Sequence, residues 1–436
     1  MKKVALHNLG CKVNAYETEA MQEMLEKQGY EIVPFKEGAD IYIINTCTVT
    51  NMADRKSRQM LHRAKKMNPQ AIIVAAGCYV QAQQESGEVD SSIDIVIGNN
   101  RKQDLIAILE EYENRHMLDQ EWKVQKNVID INHTKEYEQL HLSRPAEHTR
   151  AYIKVQDGCN QFCTYCIIPF ARGRVRSRRL SDVVDEVRGL AAHEYKEIVL
   201  TGIHLSSYGI DLEGRENLLE LIEAVHEVDG IERIRLGSLE PRVITEQFVS
   251  ELTKLSKICP HFHLSLQSGC DATLRRMNRR YNSKEYAQKC ELLRKYFAEP
   301  ALTTDIIVGF PGETEEEFQE SMEFVGGIHF YETHIFKYSK RAGTRAAEME
   351  NQVPEEVKTT RSNHLIQLGE KNRRKYEEKF MGREVEVLVE EKATHKGCDV
   401  QVGHTREYIK IALQSTENLL NSVVKVEISD HLQIIH

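Results

Sequence analysis

Tyr152-Ile153-Lys154-Val155-Gln156-Asp157-Gly158-Cys159-Asn160-Gln161-Phe162-Cys163-Thr164-Tyr165-Cys166 joins a strand-like run to three thiols that fall within eight residues. Three thiolates can hold three irons of a four-iron cluster and leave the fourth iron open to a ligand. A structural zinc site wants a fourth close ligand, and neither His148 nor His193 has finger-like spacing to this group. Buried cysteines without a metal remain the bland alternative.

The strand at 152–155 opens a series. Runs at 198–201, 234–237, 263–267, 304–309 and 334–338 are also strand-like, and helical patterns separate them. Val183, Val184, Val187 and Leu190 follow Ser181, and Leu218, Leu219, Leu221, Ile222 and Val225 form a second apolar face. Phe318, Met322 and Val325 follow the capping pair Thr314 and Glu317. Six strand–helix units predict an open, partial barrel whose working face lies at the strand carboxyl ends. The three cysteines stand at that end of its first strand.

Upstream, apolar runs at 4–6, 41–44, 72–75 and 93–97 alternate with helical segments, the first helix being one that Asn14 and Glu17 would cap. This predicts a small α/β domain with a parallel sheet. Cys11, Cys47 and Cys78 each lie just past one of the first three strands, so a parallel sheet brings them to one edge, where open α/β folds bind ligands. Residues 99–144 turn polar and read as a connector with one helix near 105–112 and a strand or two. Beyond a charged helix ending near Tyr376, alternation at Val385, Val387, Val389, Val400, Val402, Ile409, Ile411, Val424, Val426 and Ile428 predicts a small all-β barrel.

A chain of 436 residues is too long for one core, which fits this division. No run approaches the roughly 20 apolar residues of a membrane span, and His7 and Asn8 interrupt the amino-terminal segment before a signal core forms. Ten sparse cysteines do not make a secreted disulfide framework, so a reducing, cytoplasmic setting is expected. Cys259, Cys270, Cys290 and Cys398 fit neither group and read as ordinary residues. With a net charge of −9, any nucleic-acid site must be a local basic patch. The densest candidate is Arg172, Arg174, Arg176, Arg178 and Arg179; a second cluster comprises Arg55, Lys56, Arg58, Arg63, Lys65 and Lys66.

The segment from Cys159 through Cys166 to Pro169, with the arginine run behind it, resembles the methylthiotransferase branch of the radical S-adenosylmethionine (SAM) superfamily. Leu264-Ser265-Leu266-Gln267-Ser268-Gly269, Met277-Asn278-Arg279 and the stretch from Asp305 to Thr314 match that branch in order. The resemblance covers essentially the whole chain. It implies an amino-terminal domain at 1–98 with an auxiliary cluster, a connector at 99–144, a radical SAM core at 145–375 and a TRAM-like β-barrel at 376–436. It further implies two 4Fe-4S clusters, held by Cys159, Cys163 and Cys166 and by Cys11, Cys47 and Cys78, which together carry the chemistry. SAM serves both as methyl donor and as radical source. A transfer RNA substrate, an electron donor such as flavodoxin or ferredoxin, and a sulfur source complete the expected partners.

Tyr165 is expected near the SAM adenine, Ser238 and Gln267 in the pocket at strand ends, and Gly309 and Gly312 where backbone approaches a ligand. The five arginines are expected to meet RNA phosphate. Leu9-Gly10-Cys11-Lys12-Val13-Asn14 with Tyr16-Glu17, and Asn45-Thr46-Cys47-Thr48-Val49-Thr50, look like the branch acting on N6-threonylcarbamoyladenosine at tRNA position 37; enzymes for isopentenyladenosine typically carry Arg where this chain has Thr50. Isopentenyladenosine tRNA and a ribosomal protein are the alternative substrates. A non-catalytic iron–sulfur protein that binds RNA or senses redox state is the alternative of another class.

Overall fold

The structure, a computed structural model, describes residues 1–83, 90–117, 124–143, 149–214 and 216–435. His148 and the domain boundary expected at 144 lie outside the described residues.

Strands β1 (Lys3–Asn8), β2 (Glu31–Ile32), β3 (Ile41–Thr46), β4 (Ile72–Gly77), β5 (Ile95–Ile97) and β6 (Gln125–Asn127) form one parallel sheet in the order β2-β1-β3-β4-β5-β6. Alternate residues of each central strand enter opposite cores. Val4, Ile41, Ile43, Val74 and Ile95 meet the helices Lys12–Lys27 and Leu105–Met117; Ala5, Tyr42, Ile44 and Ile73 meet Leu61 and Ala64 of the helix Asn51–Met67. Burial on both faces explains the unbroken apolar runs. The polar connector thus supplies the last helix and edge strand of this sheet.

The first helix begins at Lys12, with Cys11 at its cap and no side-chain cap bond. The expectation that Asn14 and Glu17 cap it is therefore corrected. Both lie inside the helix, fully buried, and their polar groups serve the site described below.

The barrel is built from β7 (Arg150–Asp157), β9 (Glu197–Gly202), β10 (Arg233–Leu236), β11 (His261–His263), β12 (Ala301–Val308) and β13 (Glu332–Lys337); β8 (Arg176–Ser177) pairs antiparallel with the end of β7. Parallel bridges Ile234 to Ile258 and Leu239 to Leu264 carry the arc from β10 to β11, and the β7 and β13 edges stay unpaired with each other. Ile153, Ile198, Ile234, Phe262 and Ile306 point outward into the helical layer. By the strand period of two, Lys154, Arg235, His263 and Asp305 point into the lumen. The capping box at Thr314 and Glu317 is present as the sequence predicts.

Four antiparallel strands follow: β14 (Glu384–His395), β15 (Cys398–Thr405), β16 (Lys410–Leu413) and β17 (Val423–Glu427), in the order β16-β15-β14-β17, making an antiparallel half-barrel sheet. Arg233 donates to the carbonyls of His404 (2.8 Å) and Glu386 (2.9 Å), and Arg235 to those of Arg406 (2.9 Å) and Thr405 (2.7 Å). The Tyr408 ring stacks on His261 at 4.4 Å and lies 4.9 Å beneath the Arg235 guanidinium. Arg233 and His261 are the first residues of their strands, so this sheet closes the barrel at its amino end and leaves the carboxyl end open. No described helix is long and apolar enough to cross a membrane.

Arg235 also pairs with buried Glu197 at 2.8 Å. Replacing Arg235 by Met takes the hydrogen-bond donor from that carboxylate, which keeps Arg150 at 3.6 Å, and from the Arg406 carbonyl, so unfolding should be easier by about 3 kcal/mol. The check is the denaturant midpoint of the variant against the parent chain.

Candidate functional site

The first cysteine group occupies the loop after β7. Gly158 turns this loop with φ of 70°, where an added methyl group would fall 1.8 Å from the Arg174 carbonyl oxygen; only glycine fits. Cys159 N donates to Gly173 O, and Thr164 is held at three points: N to Met277 O (3.1 Å), Oγ1 to Arg276 O (2.8 Å), and its carbonyl to Ala346 N (2.8 Å). Asn278 Nδ2 donates to Phe162 O, and Arg279 aims a guanidinium N–H at the Cys163 sulfur, 3.4 Å away. The Met277-Asn278-Arg279 motif is thus the back wall of the cysteine loop. Burial pushes the free thiols of Cys159 and Cys166 up to about 11 and about 12. Three half-buried thiols in a loop pinned by its backbone, with donors directed at sulfur, fit a four-iron cluster that leaves one iron open.

The second group sits at the carboxyl edge of the parallel sheet. A methyl group at Gly10 would come within 3.0 Å of the Cβ and Sγ of Cys47, so glycine lets the Cys11 loop lie directly on Cys47. Asn14 Nδ2 ties the loops after β1 and β3 together, donating to Leu9 O (2.7 Å) and Thr46 O (3.0 Å). Thr46 Oγ1 in turn bonds Ala76 O, beside Cys78. Desolvation raises the thiols of Cys11 and Cys47, the latter to about 12, and each is raised further by Cys78 nearby. The three cysteines come together as the strand ends predict, and the donor set suits a second cluster of the same kind.

Between the groups lies a buried charge network that sequence reasoning missed. Glu17 accepts Lys154 Nζ at 2.8 Å, Arg172 at 2.9 Å and Lys102 Nζ at 3.1 Å. Asp157, last residue of β7, accepts Lys154 Nζ at 2.6 Å and Arg172 at 3.1 Å. Burial alone raises a carboxyl group, yet Arg172, Lys102 and Lys154 hold Glu17 well below the usual carboxylate range.

This overturns part of the expected RNA site. Arg172, Arg176 and Arg178 are fully buried. Arg176 donates to the carbonyls of Arg172 and Arg174, and Arg178 pairs with Glu186 and donates to His141. Their charge is taken up by internal acids and carbonyls, so none of the three faces a phosphate. Arg174 and Arg179 are exposed, with the Arg174 guanidinium 4.4 Å over the Phe162 ring.

Of the other expected residues, Tyr165 is half-buried 6.4 Å from Phe310, in an apolar wall with Met277, Tyr338 and Ala346. Gln267 is buried, with a left-handed backbone at φ of 73° whose N–H donates to Asp305 O. Ser238 is exposed just past β10. Gly309 is corrected: a methyl group there would meet Lys358 Cγ at 2.3 Å and its N–H bonds Glu313, so its space is filled by a packed helix. Gly312 likewise donates its N–H to Asn351 O within a turn.

The lumen below carries further polar groups to which the sequence assigned no role. His263 Nε2 lies 3.4 Å from Asp305, and His334 stacks on His263 at 5.8 Å. Lys12 adjoins this chamber; desolvation, then Arg150 and Arg235, lower its ammonium to about 8. Strand alternation is the signal for His263 and His334, since charged side chains at barrel positions look like surface in sequence, whereas Lys12 opens the helix Lys12–Lys27.

Comparison with known proteins agrees with this architecture. Residues 3–98 match the family described as "Uncharacterized protein family UPF0004", and residues 153–325 match the radical SAM superfamily. The chain is 41% identical to the threonylcarbamoyladenosine tRNA methylthiotransferase MtaB of Bacillus subtilis (strain 168), over 98% of this chain and 94% of the relative. It is 34% identical to the tRNA-2-methylthio-N(6)-dimethylallyladenosine synthase of Carboxydothermus hydrogenoformans, over 97% and 95%. Among solved structures, the radical SAM methyltransferase TsrM from Kitasatospora setae matches with a TM-score of 0.56 at 16% identity, covering 80% of this chain and 77% of that one, which shows a shared fold. The chain belongs to the radical SAM tRNA methylthiotransferase family.

Proposed function

We propose that this enzyme methylthiolates C2 of N6-threonylcarbamoyladenosine at tRNA position 37. The observation that carries the reading is the near-full-length identity of 41% to a relative named for that nucleoside, joined to the residues around the auxiliary cysteines. When bound, a cluster at Cys159, Cys163 and Cys166 supplies the electron that breaks SAM, and a cluster at Cys11, Cys47 and Cys78 supplies the sulfur site. A low-potential flavodoxin or ferredoxin and a sulfur source serve each turnover.

The protein's part is placement. Arg279 directs its N–H at Cys163, the Thr164 anchors fix the loop, and the wall of Tyr165, Met277, Phe310 and Tyr338 keeps water from the SAM side of the site. Thr50 caps the helix Asn51–Met67 by accepting the N–H of Ala53, so its hydroxyl is engaged locally. The substrate's carboxylate requires a cation or N–H donors, and the lumen with Lys12, His263 and His334 offers them.

RNA lies across exposed groups near the mouth: Arg174 and the neighbouring rings Phe162 and Phe170, which meet edge-on at 6.3 Å, and the helix Asn51–Met67 with Arg55, Lys56, Arg58, Arg63 and Lys66 outward. That helix starts soon after Cys47, which brings phosphate-binding charge close to the auxiliary site.

Three measurements test these statements. Cells lacking the gene should accumulate unthiolated threonylcarbamoyladenosine and keep any methylthio-isopentenyl nucleoside unchanged, read by mass spectrometry of tRNA nucleosides; the reverse pattern refutes the substrate. Replacing Cys11, Cys47 and Cys78 together by Ala should remove about half the iron and retain formation of 5′-deoxyadenosine, whereas the Cys159, Cys163 and Cys166 triple variant should lose that activity. Neutralising Arg55, Lys56, Arg58 and Arg63 should lower the slope of log affinity against log salt by roughly one unit for each phosphate left without its cation, and Arg178→Gln should leave that slope unchanged.

A further inference from the structure

Arg172 stands where the two cysteine sites meet. It lies shortly after Cys166, at the end of the short helix Ile168–Ala171, yet its side chain enters the amino-terminal domain. Nε lies 3.1 Å from the Cys78 sulfur, one terminal nitrogen reaches Glu17 and Asp157, and the other lies 2.6 Å from Asn14 Oδ1, the same oxygen that accepts the Cys11 thiol. Asn99 Nδ2 is a second donor toward Cys78 at 3.5 Å, and it also bonds the carbonyl of Ala171, beside Arg172.

The charges indicate what this arrangement is for. Four buried cations, Lys102, Lys154, Arg172 and Arg176, face three buried carboxylates, Glu17, Asp157 and Glu138. Through its terminal nitrogens Arg172 shares Glu17 with Lys102 and Lys154, and Asp157 with Lys154 and Arg176, which leaves its Nε–H to face the Cys78 sulfur. These cations outnumber the acids by one, and Arg172 is the member that turns an N–H toward sulfur.

We infer that Arg172 is a positioning residue for the auxiliary site, donating its Nε–H to the Cys78 thiolate and holding the cluster there at a higher midpoint potential than its sulfur ligands alone would set. The inference rests on the auxiliary-cluster reading above. Hydrogen bonds to ligand sulfur and nearby positive charge favour the reduced, more electron-rich cluster. Through Cys166, the same residue also fixes how far the radical-forming loop stands from the sulfur-bearing one.

The test uses full-length protein reconstituted without oxygen, with iron counted and both clusters followed by an EPR-monitored redox titration. Two variants are compared: Arg172→Lys, which keeps the charge and loses the planar fork, and the pair Arg172→Gln with Glu17→Gln, which removes one cation and one anion together. The parent should hold about eight irons. In the paired variant the auxiliary midpoint should move to more negative potential, with a smaller move in Arg172→Lys, and the radical-site midpoint should stay fixed. Loss of the auxiliary irons alone, with 5′-deoxyadenosine formation kept, supports the same placement. An unchanged auxiliary midpoint at full iron content, equal movement of both midpoints, or loss of both clusters with a lowered unfolding midpoint would make Arg172 a structural counter-ion and overturn the inference. A parent chain that never exceeds about four irons removes the auxiliary cluster itself, which is a different failure.

Discussion

One buried carboxylate, Glu17, organises the meeting of two domains. It lies on the first helix of the parallel-sheet domain and draws in Lys102 from the end of that domain, Lys154 from the first barrel strand and Arg172 from the segment behind the cysteine loop. Buried ion pairs contribute little net stability compared with apolar packing, because each charge must first leave water. Their strength is geometric. A carboxylate with three cationic partners on separate elements is satisfied in one relative placement, and a slip of either domain leaves several charges stranded at once.

The barrel shows a similar division between its two ends. At the amino end, Arg233 and Arg235 bond backbone carbonyls of the β14–β17 sheet, and Tyr408 fills the opening between His261 and His404. At the carboxyl end the cysteine loop, Gln267 and the Tyr165 wall leave an approach. A plugged base and an open mouth fit chemistry that must admit a nucleobase while keeping water from the reacting atoms.

Much of this was legible in the sequence. The spacing of Cys159, Cys163 and Cys166 after a strand, and the recurrence of Cys11, Cys47 and Cys78 after three others, fix where the thiols gather because parallel strands all end on one side. The arginine run misleads for an equally physical reason. Five arginines in eight residues look like a solvated polycation, and the acids that bury three of them, Glu17, Asp157 and Glu186, are contributed by other elements. Glu17, one of the two acids that hold Arg172, is 155 positions away. Gly309 is ambiguous in the same sense: a left-handed glycine marks close approach, and only the fold reveals that Lys358 is what approaches. The connector's strand β6 could be expected but not located, because three polar residues at a sheet edge carry no apolar signal.

Glu17 also imposes an order on synthesis. The parallel sheet is complete once residue 127 has been made, and at that moment the acid in its interior has Lys102 as its near counter-ion, while Lys154 and Arg172 are still to be translated. The sequence up to residue 127 thus contains the acid and one of its three cations, and the other two belong to the segment made afterwards. Barrel strand β7 and the chain behind its cysteine loop close onto the same acid, so the contact that joins the two domains is also the one that sets the two cysteine sites side by side.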